Sequence, residues 1–141
     1  MKAINEIKCE LPGISENEGV IRGIIASFLL QTDPLISELS DIRTAVSEAV
    51  TNCIVHGYRN KGGNIKISAK LFENREIYIR IKDSGCGIEN IKQAMEPLFT
   101  TAPEEERAGL GFAVMESFTD TLTVKSEVGK GTTIIMKKRL S

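Results

Sequence analysis

Residues 47–58, SEAVTNCIVHGY, decide how this chain is read. Glu48 and Asn52 stand four apart, and on an α-helix residues i and i+4 share a face. A carboxylate and an amide oxygen so placed suit one small hard cation, Mg²⁺, and the water or hydroxyl beside it. Many exposed helices carry Glu and Asn at this spacing. The pair gains weight from three stretches downstream: DSGCG at 83–87, GLGF at 109–112 and GKGTT at 129–133.

Working outward, the pair lies in a long helix over roughly 37–56, with Leu39, Ile42, Val46, Val50 and Cys53 at helical spacing and Gly57 as its stop. His56, the only histidine, suits a helix C-terminus through the helix dipole; its alternative role is a contact at a nucleotide site. Upstream, residues 4–11 alternate, with Ile7, Cys9 and Leu11 on one side, and read as a strand. SENE at 15–18 has the form of a capping box. It opens a helix with Val20, Ile21, Ile24, Ile25, Phe28 and Leu29 on its apolar face and Arg22 on the outer side. Asp33-Pro34 breaks the chain. Downstream, NKGGN at 60–64 is a turn cluster, and two alternating runs about Ile65–Leu71 and Ile77–Ile81 form a hairpin through Glu73-Asn74-Arg75. Residues 88–96 suit a short helix. Residues 97–108 hold two prolines, four charges at 104–107 and no periodicity, and read as a mobile lid. A helix from Gly109 and a last hairpin, with Leu122 and Val124 before the turn and Thr133, Ile135 and Lys137 after it, complete the chain. The order implies an α/β fold: a two-layer sandwich of a mixed, mostly antiparallel sheet with its helices on one face.

Length and composition set bounds. The 141 residues suit one domain over 1–141, and 41% hydrophobic with 26% charged residues is ordinary for a soluble protein. Net charge is −1 and no basic patch emerges, so no direct nucleic-acid partner is expected. No apolar run approaches a membrane span, and MKAINEIKCEL lacks a signal-peptide core, so the expected location is cytoplasmic without membrane contact. Cys9, Cys53 and Cys86 show no CxxC spacing. They fit a reducing compartment and small packed side chains rather than a disulfide or zinc site.

Each candidate residue carries two readings. Asp83 ends a strand where a glycine loop begins; its carboxylate suits an exocyclic amine such as adenine N6, or it is a plain Asp-Ser-Gly turn. Gly85 and Gly87 allow close approach of the backbone to a flat ring, or positive φ. Gly109, Leu110, Gly111 and Phe112 open a helix after the lid, where backbone N–H groups make an anion cradle or merely a glycine-rich start. Arg107 reaches either a terminal phosphate or solvent. Thr132 shares a water with Asp83 or simply favours a strand. Two similarities fail. A Walker A loop ending at Lys130 needs Gly at 124 and Ser or Thr at 131, where Val124 and Gly131 stand. A dinucleotide fingerprint from Gly85 meets Asn90 in its third glycine slot.

Glu-x-x-x-Asn on a helix, Asp-x-Gly-x-Gly, a variable lid, Gly-x-Gly and a final Gly-Thr, in order over residues 48–132, resemble the Bergerat-type ATP-binding fold of gyrase, mismatch-repair ATPases, heat-shock chaperones and histidine kinases. More narrowly, VSEAVTNCIVHGY, PLFTT at 97–101 and GLGFAVMESFTD are similar to the anti-sigma F family of spore-forming Firmicutes, serine kinases of an anti-anti-sigma partner. The resemblance implies ATP and Mg²⁺ as cofactors, a sigma factor and an anti-anti-sigma factor phosphorylated on serine as partners, and a homodimer. It implies Glu48 as catalytic base, Asn52 on Mg²⁺ and Asp83 on adenine. Gly109 and Gly111, with Phe112 behind them, cradle phosphates; Thr100, Thr101 and Arg107 belong to the lid; Gly85, Gly87 and Thr132 complete the nucleotide site. Arg22 is a candidate partner contact, and the alternating first strand is free to pair at a sheet edge. Only 47 residues, without histidine, precede Glu48, which leaves no place for a histidine kinase's phosphoacceptor helices. The alternative reading is a nucleotide-dependent sigma-binding module without kinase activity.

Overall fold

Alternation of apolar and polar residues puts β-branched side chains on one side of each strand, and that side needs a partner layer. Helices supply it. The computed structural model describes residues 2–96 and 111–141. Its elements are β1 (Ala3–Pro12), α1 (Glu16–Leu29), a 3₁₀ turn (Leu30–Thr32), α2 (Ile36–Thr51), a π-helical turn (Asn52–Gly57), β2 (Asn64–Phe72), β3 (Glu76–Asp83), α3 (Ile91–Ala94), α4 (Gly111–Ser117), β4 (Thr121–Glu127) and β5 (Gly131–Arg139).

The strands form one sheet in the order β1-β2-β3-β5-β4. The expected mixture of directions is not found: all pairings are antiparallel. The reason is topological. The crossover after β3 brings the chain into β4 in the same sense as β3, and the β4–β5 turn then returns β5 between them, antiparallel to both. β1 lies on one edge, as an alternating first strand permits.

Ile65, Ile67, Ala69 and Leu71 of β2, Ile77, Ile79 and Ile81 of β3, and Ile134 and Met136 of β5 are buried. They meet Ile21, Ile25 and Leu29 of α1 and Ile42, Val46, Ala49 and Val50 of α2, also buried, in one continuous core. In β5 the core-facing residues are thus Ile134 and Met136, and Thr133, Ile135 and Lys137 turn to the open face. Among the described residues, no helix is long and apolar enough to cross a membrane.

Three local expectations are corrected. Ser15 does not cap α1 with its side chain; it is itself helical (φ −59°, ψ −31°). Its hydroxyl therefore cannot swing over the first turn, which closes instead through the Glu18 N–H on the Ser15 carbonyl at 3.2 Å. Val20 is 48% exposed, so the buried stripe of α1 is the narrower 21–25–29 row. Finally, the sequence shows no basic patch, but the register assembles one on the sheet's open face from residues distant in the chain.

Chain ends are tied to this frame. Glu38 in the first turn of α2 accepts from the Leu35 N–H at 3.0 Å and from the Ser141 N–H at 2.8 Å. These bonds, the one from Ser141 foremost, hold its carboxyl below the usual range. Arg75, in a left-handed turn position (φ 68°), donates to the carbonyls of Thr32 and Ser141 at 2.9 and 3.0 Å.

The narrow stripe on α1 makes a sharp expectation. Ile25→Ala should cost about 2–5 kcal/mol in urea unfolding, the range for a buried large-to-small change. Val20→Ser, one turn away and exposed, should stay within about 0.5 kcal/mol of the parent.

Candidate functional site

α2 does not end as an α-helix. Its hydrogen-bond ladder widens, so that the Tyr58 N–H donates to the Cys53 carbonyl at 2.8 Å and the Asn60 N–H to the Ile54 carbonyl at 3.0 Å. Single π-helical turns of this kind gather at functional sites, because the wider turn re-aims the side chains beyond it. Here the turn carries Gly57 against the end of β3. Glu48, at 4% exposure, and Asn52, at 7%, lie one turn apart before that point. The Asn52 N–H is shared between the carbonyls of Glu48 and Ala49, continuing the helix into the turn. Burying a carboxylate and a carboxamide inside an apolar layer is costly, and residues of these types are seldom found there for packing alone.

Asp83 ends β3 at 1% exposure. Its Oδ1 accepts from the Gly85 N–H at 2.9 Å and from the Thr132 N–H at 3.3 Å. Its Oδ2 is buried and receives no hydrogen bond. An orphaned acceptor in this position fits a ligand that brings a donor, as the amino group of adenine would. Burial, the largest influence, raises the Asp83 pKa; the Gly85 N–H, the Cys53 thiol and the Thr132 N–H oppose that rise. The Cys53 thiol is in turn pushed well up, by burial first and then by the charge of Asp83 and a hydrogen bond to it. It stays protonated as a donor towards the carboxylate.

Sequence reasoning took Cys53 as a packed hydrophobe, and took no account of Tyr58. Both touch the site. The Tyr58 hydroxyl accepts from the Ser84 N–H at 2.8 Å and donates to the Asn64 carbonyl at 2.5 Å. It joins the glycine loop after β3 to the start of β2. The clue was the position of each: Cys53 follows Asn52 directly, and Tyr58 follows the helix stop.

Gly85 and Gly87 serve the protein's own close packing, and Gly87 takes the positive φ that is one of the two readings of these glycines. A Cβ at Gly85 would lie 2.1 Å from the Gly57 carbonyl oxygen, and Gly87 combines φ 77° with a Cβ position 2.3 Å from the Glu127 carbonyl oxygen. Between them the Cys86 N–H donates to Gly57 and the Cys86 carbonyl accepts from Gly129, each at 2.8 Å. The loop is thereby clamped between the π turn and the β4–β5 hairpin. Thr132 is buried at 3% exposure, but its backbone N–H serves Asp83; its hydroxyl pairs with the Ser126 hydroxyl at 2.9 Å. Gly111 and Phe112 are buried at the start of α4. Thr100, Thr101, Arg107 and Gly109, with the rest of the expected lid, lie outside the described residues. Arg22 stands apart from this site, on α1, in an ion pair with Glu18 at 3.7 Å.

A buried acid and amide on a helix, an orphaned carboxylate oxygen at a strand end and a glycine loop clamped beside it define a nucleotide-binding class. The family model for the histidine kinase-like ATPase domain matches residues 15–138, and the chain belongs to this family. ATP is the nucleotide that an ATPase domain implies. The anti-sigma F factor of Clostridium acetobutylicum is 53% identical over 97% of this chain and 95% of its own length. That of a Geobacillus strain is 47% identical over 97% and 94%. Within the family the chain thus groups with the anti-sigma F factors. In fold it resembles the RsbU and RsbW domains of a Mycobacterium tuberculosis protein, with TM-score 0.70 and 22% identity over 96% of this chain and 32% of that one.

Tyr58→Phe isolates the clamp. It leaves the exposed Ser84 N–H without its protein acceptor, and should cost about 0.5–1.5 kcal/mol, the net worth of an ordinary hydrogen bond, in urea unfolding. A cost near zero would mean that water replaces the hydroxyl.

Proposed function

We propose that this protein is an ATP-dependent serine kinase that phosphorylates an anti-anti-sigma factor, and that it also binds and inhibits a sporulation sigma factor. The observation that carries the kinase reading is the buried carboxylate of Glu48, one turn before Asn52. Holding a nucleotide calls for an acceptor at adenine and donors at phosphate. It does not call for a second buried carboxylate. A general base does, since a serine hydroxyl must lose its proton as it attacks the γ-phosphorus. Sigma-factor antagonism is supported by the names of relatives about half identical over nearly the whole chain.

The remaining roles follow from the chemistry of each residue. Asp83 accepts from the adenine amine through Oδ2 while Gly85 and Thr132 hold Oδ1. The donor set suits Mg²⁺: the ion would be held by Asn52 and the nucleotide's phosphates, as it is where no carboxylate cage exists. Among the described residues, no three His, Cys, Asp or Glu side chains are grouped to hold a metal by themselves. When bound, the ion neutralises phosphate charge. Gly109 and Gly111 would offer backbone donors to the phosphates, with Thr100, Thr101 and Arg107 closing over them. The protein would work in the cytoplasm as a homodimer, with the β1 edge available for pairing and Arg22 at a partner surface.

Incubation with labelled ATP and the anti-anti-sigma factor tests the activity. Phosphoserine is expected; a partner bound in an ATP-dependent way but never labelled would favour the binding module without kinase activity. Glu48→Gln should keep ATP affinity and lose transfer by about 10²-fold or more. Asn52→Ala should lose both.

The state of Asp83 adds a pH signature. Its folded pKa is raised, so the carboxylate picks up its proton at a higher pH than a free aspartate. Protonated, it presents a hydroxyl where an acceptor is required. Adenosine-nucleotide affinity should therefore fall as pH drops through this raised value. Asp83→Asn should bind about tenfold more weakly or worse at neutral pH, the loss of a charge-assisted hydrogen bond, and lack the acid-limb change. Calorimetry across pH on both proteins reads the two effects.

A further inference from the structure

The described helices all lie on one side of the sheet, which leaves the other side open. On that side the register brings together Lys66 and Lys82 as direct cross-strand partners. Arg80 stands opposite Ser68 and Ile135, Lys137 opposite Tyr78 and Thr121, and Lys125 opposite Thr133. Strands run about 4.8 Å apart and alternate residues about 6.7 Å apart. These five cations therefore share a field about 14 Å across, with each about 5–10 Å from its nearest neighbour, close to the Debye length of about 8 Å at physiological salt.

Neighbouring cations on the same face are answered. Lys8 and Lys70 both reach Glu6, at 3.9 and 3.6 Å. Among the described residues, Lys66, Arg80, Lys82, Lys125 and Lys137 have no ion pair. Like charges directly opposite in a sheet destabilise it. Lys66 faces Glu10 of β1 on one side and Lys82 on the other, whereas Lys82 has only Lys66 and Thr133 opposite it, so a partner that neutralises this end of the field relieves a repulsion that the fold answers on one flank alone.

We propose that this open face is a docking surface for a protein segment dense in carboxylates. Three observations favour such a segment over a nucleic acid. Glu6 and Glu10 on β1 and Glu127 on β4 close the field at both sheet edges, so it accommodates a short acidic element, and a phosphate backbone running across the strands would meet carboxylates on either side. The ring at its far end, Tyr78, lies under the Lys70 ammonium, 5.6 Å from its centroid, and so is not the open platform on which bases stack. The chain as a whole carries a net charge of −1, so it offers no long-range attraction to a polyanion and recognition must be local. Half-buried Ile135 beside Arg80 gives the field the apolar centre of a protein interface. The surface is separate from Glu48, Asn52 and Asp83, and its assignment does not depend on the kinase reading.

The test uses the full chain and a fluorescein-labelled 16-residue peptide of alternating Glu and Ala, with oligothymidylate of equal charge as the second probe. Anisotropy should show saturable peptide binding that weakens as salt rises. Lys66→Glu/Lys82→Glu should weaken it about tenfold or more, as for rim and core charges of an electrostatic interface. It should leave ATP affinity unchanged, which reports an intact fold. Lys66→Gln/Lys82→Gln, which removes the cross-strand repulsion, should be no less stable than the parent and still bind peptide severalfold more weakly. Arg43→Glu/Lys61→Glu, an equal charge change away from the face, should leave binding as it was. The proposal is overturned if the peptide does not bind, if both double variants at 66 and 82 bind it as the parent does, if the distant variant weakens it equally, or if oligothymidylate binds more tightly through Lys66 and Lys82.

Discussion

The contact between the π-helical end of α2 and the end of β3 is the constraint on which the site depends. Gly57 and Gly85 meet backbone to backbone with no room for a Cβ, and the Cys86 N–H closes the contact by a hydrogen bond to Gly57. An α-helical end would send Gly57 elsewhere, because 3.6 and 4.4 residues per turn aim the next residue in different directions. With the wider turn, the helix that carries Glu48 and Asn52 is joined to the strand that carries Asp83. Two elements far apart in sequence become one wall.

That wall is apolar on its hidden side and polar where it opens. Ile81, Val50 and Cys53 are fully buried behind Asp83 and Asn52. Low dielectric around Asp83 makes its charge expensive, and the N–H groups of Gly85 and Thr132 with the Cys53 thiol limit the expense. The two N–H groups satisfy Oδ1 and leave Oδ2 without a backbone donor. A half-satisfied carboxylate is a poor structural element and a good ligand acceptor, which is why the site reads as functional rather than architectural. The Tyr58 hydroxyl and the Ser126–Thr132 pair then hold the surrounding loops without using that oxygen.

Much of this was legible in the residues. Glu48 and Asn52 could be placed together because the helical repeat is a local property, and their periodic apolar neighbours marked the helix. The two hairpins followed from alternation and from turn residues. Asp83 was recognisable as a strand end followed by glycines. The same local logic misled at Ser15, where a good capping pattern is overridden by a helical backbone, and at Val20, where a broad apolar stripe meets a core that fully buries the 21–25–29 row, takes Phe28 in part and leaves Val20 outside.

What the sequence alone determined is therefore what short-range geometry carries: element types, the spacing of the acid and the amide, and the position of the glycine loop. Tertiary structure decided the rest. The insertion of β5 between β3 and β4, which makes the sheet wholly antiparallel, is a choice among pairings that are locally equivalent. Cys53 and Asp83 stand 30 positions apart in the chain, and their partnership exists only once the π turn meets β3. The basic face is the clearest case. Lys66, Lys82, Lys125 and Lys137 are scattered through a chain of net charge −1, and each is an ordinary solvated side chain in its own segment. Only the cross-strand register sums them, because electrostatic potential adds in space and not along the chain.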